Sequence, residues 1–212
     1  MEIHRNPKME SRKGREYLVR RAEILRAAEK LFAEKGFHGT TILDLAKLSE
    51  FSVGTLYNFF KTKEEVYYTL LIEKLDLFQS KLGTEINQHS PGLDQILALI
   101  EASVKFFQEN QDFFRIFIQE RSTVELSVGA AAGKELRKRY LAYIDLVSKV
   151  MTKAIEKGDI QKFNPVEIAY CLVGILNSLC TYWTLNPELN EFISKVPFIC
   201  DLFLKGVGKR GK

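Results

Sequence analysis

The chain has 212 residues, 46% hydrophobic and 27% charged, with a formal net charge of +4; it is long enough for a sizeable apolar core and ordinary in composition for a globular protein. The charge is uneven: residues 1–64 hold 13 Lys/Arg against 9 Asp/Glu, which leaves 18 of each sign in the remainder, the pattern expected of a phosphate-facing unit joined to a neutral one. The longest apolar stretch, residues 168–183, is interrupted by Asn177, Ser178 and Thr181 and falls short of the roughly 20 residues of a bilayer span. Residues 1–21 lack the apolar segment of a signal peptide, so a cytoplasmic protein with no membrane partner is expected.

Residues 1–16 show no hydrophobic periodicity, contain Pro7, and carry Arg5, Lys8, Arg12, Lys13 and Arg15. They read as a basic flexible arm, either reaching DNA or simply solvated. From residue 17 to 35, Leu18, Ala22, Leu25, Ala28, Leu31 and Phe32 recur at intervals of three and four and predict a helix, with Gly36 as its stop.

Residues 40–64 predict two short helices joined by a tight turn, then the start of a third. Thr41 followed three residues later by Asp44 makes a capping-box-like start, so a helix should begin near Ile42. Ile42, Leu45 and Ala46 share its inner face. Residues 49–52 interrupt the pattern, and Ser52 is placed to cap a second helix over 53–59 with Leu56 turned inward. That second helix carries no charge. Its outward positions, Val53, Gly54, Thr55, Tyr57 and Asn58, are small or hydrogen-bonding, which suits close approach to a surface, as for a helix-turn-helix reading helix in the major groove.

Residues 22–37 (A-E-I-L-R-A-A-E-K-L-F-A-E-K-G-F), 40–46 (T-T-I-L-D-L-A) and 53–66 (V-G-T-L-Y-N-F-F-K-T-K-E-E-V) together resemble the DNA-binding domain of the TetR/AcrR family of bacterial transcriptional regulators, without a gap. The resemblance implies that Tyr57 and Lys61 hold backbone phosphates and that Val53, Gly54, Thr55 and Asn58 face bases. The Val53 and Thr55 methyl groups suit thymine, and Asn58 suits a base edge. Ser52 joins this set at the helix start, and Thr41 and Lys63 are further candidate phosphate contacts. The bland alternatives are that Tyr57 closes the small core and that Thr41 is only a cap. One departure stands out: where the family's turns usually carry glycine, this chain has Glu50, which predicts a turn that is either strained or differently shaped and a charge that slightly opposes phosphate binding.

Thr62 is placed to cap a further helix to about residue 82, with Val66, Leu70, Leu71, Leu75 and Phe78 buried. Residues 65–82 form the expected linking helix, which by resemblance transmits a ligand signal. Gly83, Asn87, His89, Ser90 and Pro91 predict a loop. Helices are expected over 93–110, 112–125 and 134–157, the last stopped by Gly158. Asn164, Pro165 and Glu167 announce another to about 185. It is apolar almost all round, which asks for a second burying surface, and 192–204 offers one more apolar helix with Pro197 in its first turn or at a kink. Leu172, Ile175, Leu176, Leu179, Phe198 and Leu202 are the expected homodimer contacts, and the resemblance implies the same use of the last two helices. The fold class is all-α: a helix-turn-helix domain over 17–64, then a helical bundle over 83–212 for effector binding and dimerisation.

Enzyme signatures are missing: no Gly-rich phosphate loop, no Cys or His pair at metal spacing, and His4, His38 and His89 scattered. No catalytic, metal or cofactor site is expected. Cys171, Cys180 and Cys200 read as reduced core residues. Phe106, Phe107, Phe114, Phe117, Tyr140, Tyr143, Tyr170 and Trp183 are candidate walls of a pocket for a small lipophilic or aromatic effector, although helical spacing fits a filled core as well. Arg121, Arg137 and Arg139 suit either an anionic head group or a solvated face. The function expected is a homodimeric repressor released from a palindromic double-stranded DNA operator by a small ligand. The alternative is a DNA-bound adaptor answering to a protein partner with no small-molecule effector, which a closed core would favour.

Overall fold

The structure, a computed structural model, describes residues 11–119, 130–189 and 191–207. All regular elements among these residues are helices. They form two compact units, Met1–Leu71 and Ile72–Lys212, divided within one helix that belongs to both.

The first unit contains α1 (Arg12–Gly39), α2 (Ile42–Leu48), α3 (Val53–Phe59) and the beginning of α4 (Lys63–Asn87). α1 starts five residues before the expected position, because Ser11 accepts the Gly14 amide as an N-cap and Arg12 pairs with Glu16 one turn on at 3.0 Å. The expected arm is therefore helical from residue 12; residues 1–10 lie outside the described residues. Gly36 interrupts α1 as predicted, at φ +71°, a left-handed conformation open to glycine. Thr40 is fully buried, and its hydroxyl donates to the Gly36 and Leu31 carbonyls at 2.9 and 3.3 Å. Ile24, Ala28, Phe32, Leu45, Leu56 and Tyr67 make the core. Tyr67 sets its ring edge against both Phe32 and Phe37. Burial of this kind is worth roughly 1.5–3 kcal/mol per large side chain, and it holds the two short helices that propensity alone would not.

The second unit holds the rest of α4, then α5 (Leu93–Glu109), α6 (Gln111–Gln119), α7 (Ala130–Lys157), α8 (Pro165–Leu185), two 3₁₀ turns (Pro187–Leu189 and Phe192–Lys195) and α9 (Val196–Val207). The loop expected from residue 83 begins later, since α4 runs on through Gly83 to Asn87. Leu82 and Ile86 are buried one turn apart and extend the apolar face, and buried Gln95 donates to the Ile86 carbonyl at 2.9 Å to close the helix end. Packing here outweighs the roughly 1 kcal/mol that a mid-helix glycine costs. α7 starts four residues early, at Ala130, and ends before Gly158 at φ +75°. The expected end of the 112–125 helix and the start of the following connection, with Arg121, fall outside the described residues.

α8 has the predicted bounds: Asn164 Oδ1 accepts the Val166 and Glu167 amides, and Pro165 occupies the first turn. α8 packs on α7, and α5 lies against α7, α8 and α9. Although α8 has the length and apolar composition of a membrane span, Ile168, Ala169, Leu172, Val173, Leu176, Cys180 and Trp183 are buried inside this unit. Pro197 falls in the first turn of α9, where its missing amide costs nothing.

Two expectations need correction. Leu172 and Leu176, assigned to a dimer contact, are buried in the chain's own core, at 0% and 1% exposure. They face α8's inner side, whereas Ile175 and Leu179 are half-buried and Phe198 and Leu202 are exposed. Of the three cysteines only Cys180 is a core residue, and burial pushes its thiol up to about 12. Cys171 is exposed and Cys200 half-buried, because both fall outside α8's and α9's inward positions.

A candidate DNA-reading face and a candidate ligand cavity

The start of α2 is built as a full capping box. The Thr41 hydroxyl accepts the Asp44 amide at 3.1 Å and donates to the Asp44 carboxylate at 2.6 Å, which in turn accepts the Thr41 amide at 3.0 Å. Lys35 adds an ion pair at 3.0 Å. Chiefly through the Thr41 hydroxyl, and then Lys35, the carboxyl of Asp44 is held down to about 2. Thr41 thus caps α2, the second of the two roles the sequence offered it, with its hydroxyl in use on both sides.

The turn after α2 closes on Glu50, whose φ is +59°. From that left-handed position Glu50 N–H donates to Lys47 O at 3.4 Å and Phe51 N–H to Ala46 O at 3.0 Å, the pairing of a Schellman motif. The sequence's odd residue therefore sits where glycine would cost least. Ser49 adds a hydroxyl bond to Leu45 O at 2.6 Å.

Ser52 caps α3, accepting the Thr55 amide at 3.0 Å with its Oγ 2.8 Å from the Thr55 hydroxyl. Leu56 and Phe60 are buried beneath, which turns Gly54, Tyr57 and Asn58 outward and leaves Val53 and Thr55 half-buried. Tyr57 is 51% exposed, so it does not close the core. Lys61 keeps an exposed side chain while its amide donates to Glu65 at 2.6 Å. Lys63 departs from expectation: its ammonium donates to the Phe37 and Thr40 carbonyls at 2.7 and 2.8 Å and lies over the Phe37 ring. It ties α4 to the end of α1 in place of reaching outward. Sequence reasoning also missed Leu43, 71% exposed on α2, whose outward position was legible from helical spacing.

In the second unit a cavity of about 380 Å³ is lined by α4 (Leu75, Phe78, Gln79), α5 and α6 (Phe107, Phe113, Phe114, Phe117), α7 (Leu136, Arg137, Arg139, Tyr140, Tyr143) and Asn177 of α8. Phe107, Phe114, Phe117, Tyr140 and Tyr143 were expected there. Phe106, Tyr170 and Trp183 were expected and are elsewhere. Phe106 is buried between Phe78 and Phe114, Tyr170 is exposed on α8, and Trp183 stacks on Phe192 at 4.7 Å. Burial holds the Tyr143 hydroxyl neutral by raising its pKa. The polar edge is Gln79, Asn177 and the arginines. Arg139 grips Asp76 with Nε and Nη2 at 2.7 and 3.0 Å and also bonds Glu135.

A chain with a capped three-helix reader, an uncharged outward α3 and a separate helical unit around an aromatic cavity has the parts of a ligand-controlled DNA-binding protein. The sequence model described as bacterial regulatory proteins, tetR family, matches residues 24–68. The structure of the fatty acid degradation regulator FadR from Bacillus halodurans matches 90% of this chain and 97% of its own with a TM-score of 0.80 at 21% identity. Residues 24–68 thus carry a DNA-binding domain of the tetR family. The chain is also similar to the fatty acid metabolism regulator protein of Bacillus subtilis (strain 168), 20% identical over 186 residues that make up 87% of this chain and 94% of that protein. FadR from B. subtilis in complex with stearoyl-CoA shares its fold, with a TM-score of 0.75 at 18% identity over 87% of this chain and 98% of that one. The match over residues 24–68 takes in all of α2 and α3, the two helices of the expected helix-turn-helix.

Proposed function

We propose that this chain is a cytoplasmic homodimeric repressor of the TetR family, that it holds a two-fold operator with two copies of α3, and that an acyl-CoA-type amphiphile in the cavity releases it. The carrying observation is that Leu75, Phe78 and Gln79 of α4 form one wall of the aromatic cavity, and α4 is the helix that continues from the DNA-binding unit. A ligand that changes this wall acts on the segment leading to the reader, and a two-state shift in head placement follows from differential ligand affinity alone. The stearoyl-CoA ligand of the B. subtilis relative supports an acyl thioester, and the apolar lining suits its chain. The adaptor reading, which a closed core would have favoured, gains no support from a cavity of about 380 Å³.

Tyr57 and Lys61 serve the phosphates, and Val53, Gly54, Thr55 and Asn58 the bases, with Ser52 holding the helix start. For the dimer, α8 offers an outward row of Cys171, Gly174, Ser178 and Tyr182, flanked by half-buried Ile175 and Leu179, and α9 offers exposed Phe198 and Leu202 one turn apart. Operator sites selected from random DNA are expected to be two-fold symmetric, and lauroyl- or stearoyl-CoA is expected to release the labelled site in an anisotropy titration. A footprint without symmetry would remove the dimer, and release by no acyl-CoA would remove the ligand.

A further inference from the structure

The cavity's polar edge is also a clamp. Arg139 of α7 lines the cavity, and its side chain is 19% exposed. The same guanidinium makes a forked pair with Asp76 of α4 at 2.7 and 3.0 Å, 63 residues away in the chain. One turn along α4, Gln79, also a cavity residue, donates its side-chain amide to the Arg139 backbone carbonyl at 2.8 Å. Arg139 thus ties α4 to α7 twice, through its side chain and through its backbone, beside the space a ligand would fill. Next to it, Arg137 is exposed on the cavity wall and makes no ion pair among the described residues. Residues 137–139 are all cationic, against the two carboxylates Asp76 and Glu135.

We propose that the Arg139–Asp76 pair is the release switch of this cavity: the anionic oxygens of an amphiphile's head group, received by Arg137, take the Arg139 guanidinium from Asp76 and free α4 from α7. The inference rests on the amphiphile reading above and assigns the step by which that ligand acts. A planar guanidinium accepts a carboxylate or phosphate in the same forked geometry, so one oxygen pair replaces another and Arg139 is never left uncompensated. The exchange gives the ligand what any effector requires, an interaction that differs between the two states of the protein. Asp76 is 53% exposed, so once released it is rehydrated instead of stranded. Asp76 and Gln79 are positioning residues here; Arg137 and Arg139 are the ligand contacts. The ligand class that follows is an apolar chain with an anionic oxygen head, which a free fatty acid and an acyl-CoA both satisfy.

The test uses the full chain, wild type and as Asp76→Asn, Arg139→Gln and Arg139→Lys, with lauroyl-CoA, laurate and uncharged dodecanol as probes. Binding is read by calorimetry and operator affinity by anisotropy. Asp76→Asn is expected to bind the anionic probe roughly two- to five-fold more tightly and the operator weaker by a similar factor, the worth of a half-exposed pair. Arg139→Gln is expected to bind the anionic probe more weakly with dodecanol unaffected, and Arg139→Lys, which loses the fork, to fall between. A loss for lauroyl-CoA alone assigns the head group to phosphates, and a loss for laurate as well assigns it to a carboxylate-sized anion; either outcome supports the switch. The proposal is overturned if Asp76→Asn and Arg139→Gln weaken the probe equally alongside lowered melting temperatures, which marks a structural brace, or if dodecanol is lost with the anions. Wild type that binds lauroyl-CoA while neither variant changes anything overturns the switch but keeps the ligand reading; wild type that binds none of the three overturns both.

Discussion

The Tyr17 ring stacks on Phe59 at the end of α3, with centroids 4.7 Å apart and planes at 26°. Tyr17 belongs to α1 and follows Arg12, Lys13 and Arg15 by five, four and two residues, so the stack ties the basic first turn of α1 to the end of α3. Tyr17→Ala is expected to lower the unit's stability by about 1 kcal/mol, the usual worth of an aromatic pair, and to weaken the operator through freer placement of those cations. Thermal melts and operator titrations at several salt concentrations read both effects.

Glu50 holds a left-handed φ of +59° in the turn between α2 and α3. An L side chain there costs roughly 1–2 kcal/mol, part of which glycine returns to the unfolded chain as entropy. Glu50→Gly is therefore expected to stabilise the protein by about 0.5–1 kcal/mol and, by removing a negative charge beside the DNA-facing helix, to tighten operator binding at low salt. Glu50→Val, β-branched and unsuited to this φ, should destabilise it. Urea unfolding of the pair gives the sign directly.

Asp44 carries a carboxyl held down to about 2 by Thr41 and Lys35. The folded value lies below the unfolded one, so its contribution is present above the ordinary carboxyl range and is lost as pH falls through the folded value. Asp44→Asn should be less stable than wild type at neutral pH, and the two melting curves should converge between about pH 4 and pH 2. A gap that stays constant across that window would mean that the cap acts without its charge.

How much of this was legible differs by the range of the interaction. Thr41, Ser52 and Asn164 cap their helices as the sequence predicted, because a cap is a contest among neighbours within three residues. Gly83 misled for the same reason: locally it looks like a stop, and only the buried Leu82 and Ile86 together with Gln95 carry the helix through it. Lys63 finds its carbonyls 23 and 26 residues away, and Arg139 finds Asp76 at 63; no spacing rule reaches that far. The cavity was half legible, since aromatic content points to the right unit while tertiary packing decides that Phe107 lines the space and Phe106 fills the core.

Lys61 and Lys63 separate phosphate binding from structure. Lys61 is exposed, so Lys61→Ala should lower the salt dependence of operator binding by about one unit of slope while leaving stability unchanged. Lys63 is engaged with two carbonyls, so Lys63→Ala should cost about 1–2 kcal/mol of stability with the slope unchanged. Tyr57→Ala, which removes a half-exposed hydroxyl from the reading face, should cost roughly ten-fold in operator affinity. Equal slopes for the two lysine variants would put Lys63 back among the phosphate contacts.

The last two helices divide their apolar residues between a core and a free surface, and charge placed on each should fail differently. Phe198 and Leu202 are 55% and 50% exposed in one chain, so a glutamate at each meets water in a monomer but faces its symmetry mate in a two-fold interface. Phe198→Glu with Leu202→Glu is expected to halve the mass seen in sedimentation while the helical circular dichroism is retained, and to abolish the two-site footprint. Leu172→Glu places a charge at a fully buried position, where an unpaired carboxylate costs several kcal/mol or takes up a proton, and is expected to unfold the second unit at any protein concentration. If the double variant keeps the wild-type mass, this surface is not the dimer contact, and the outward row from Cys171 to Tyr182 on α8 becomes the place to introduce charge next.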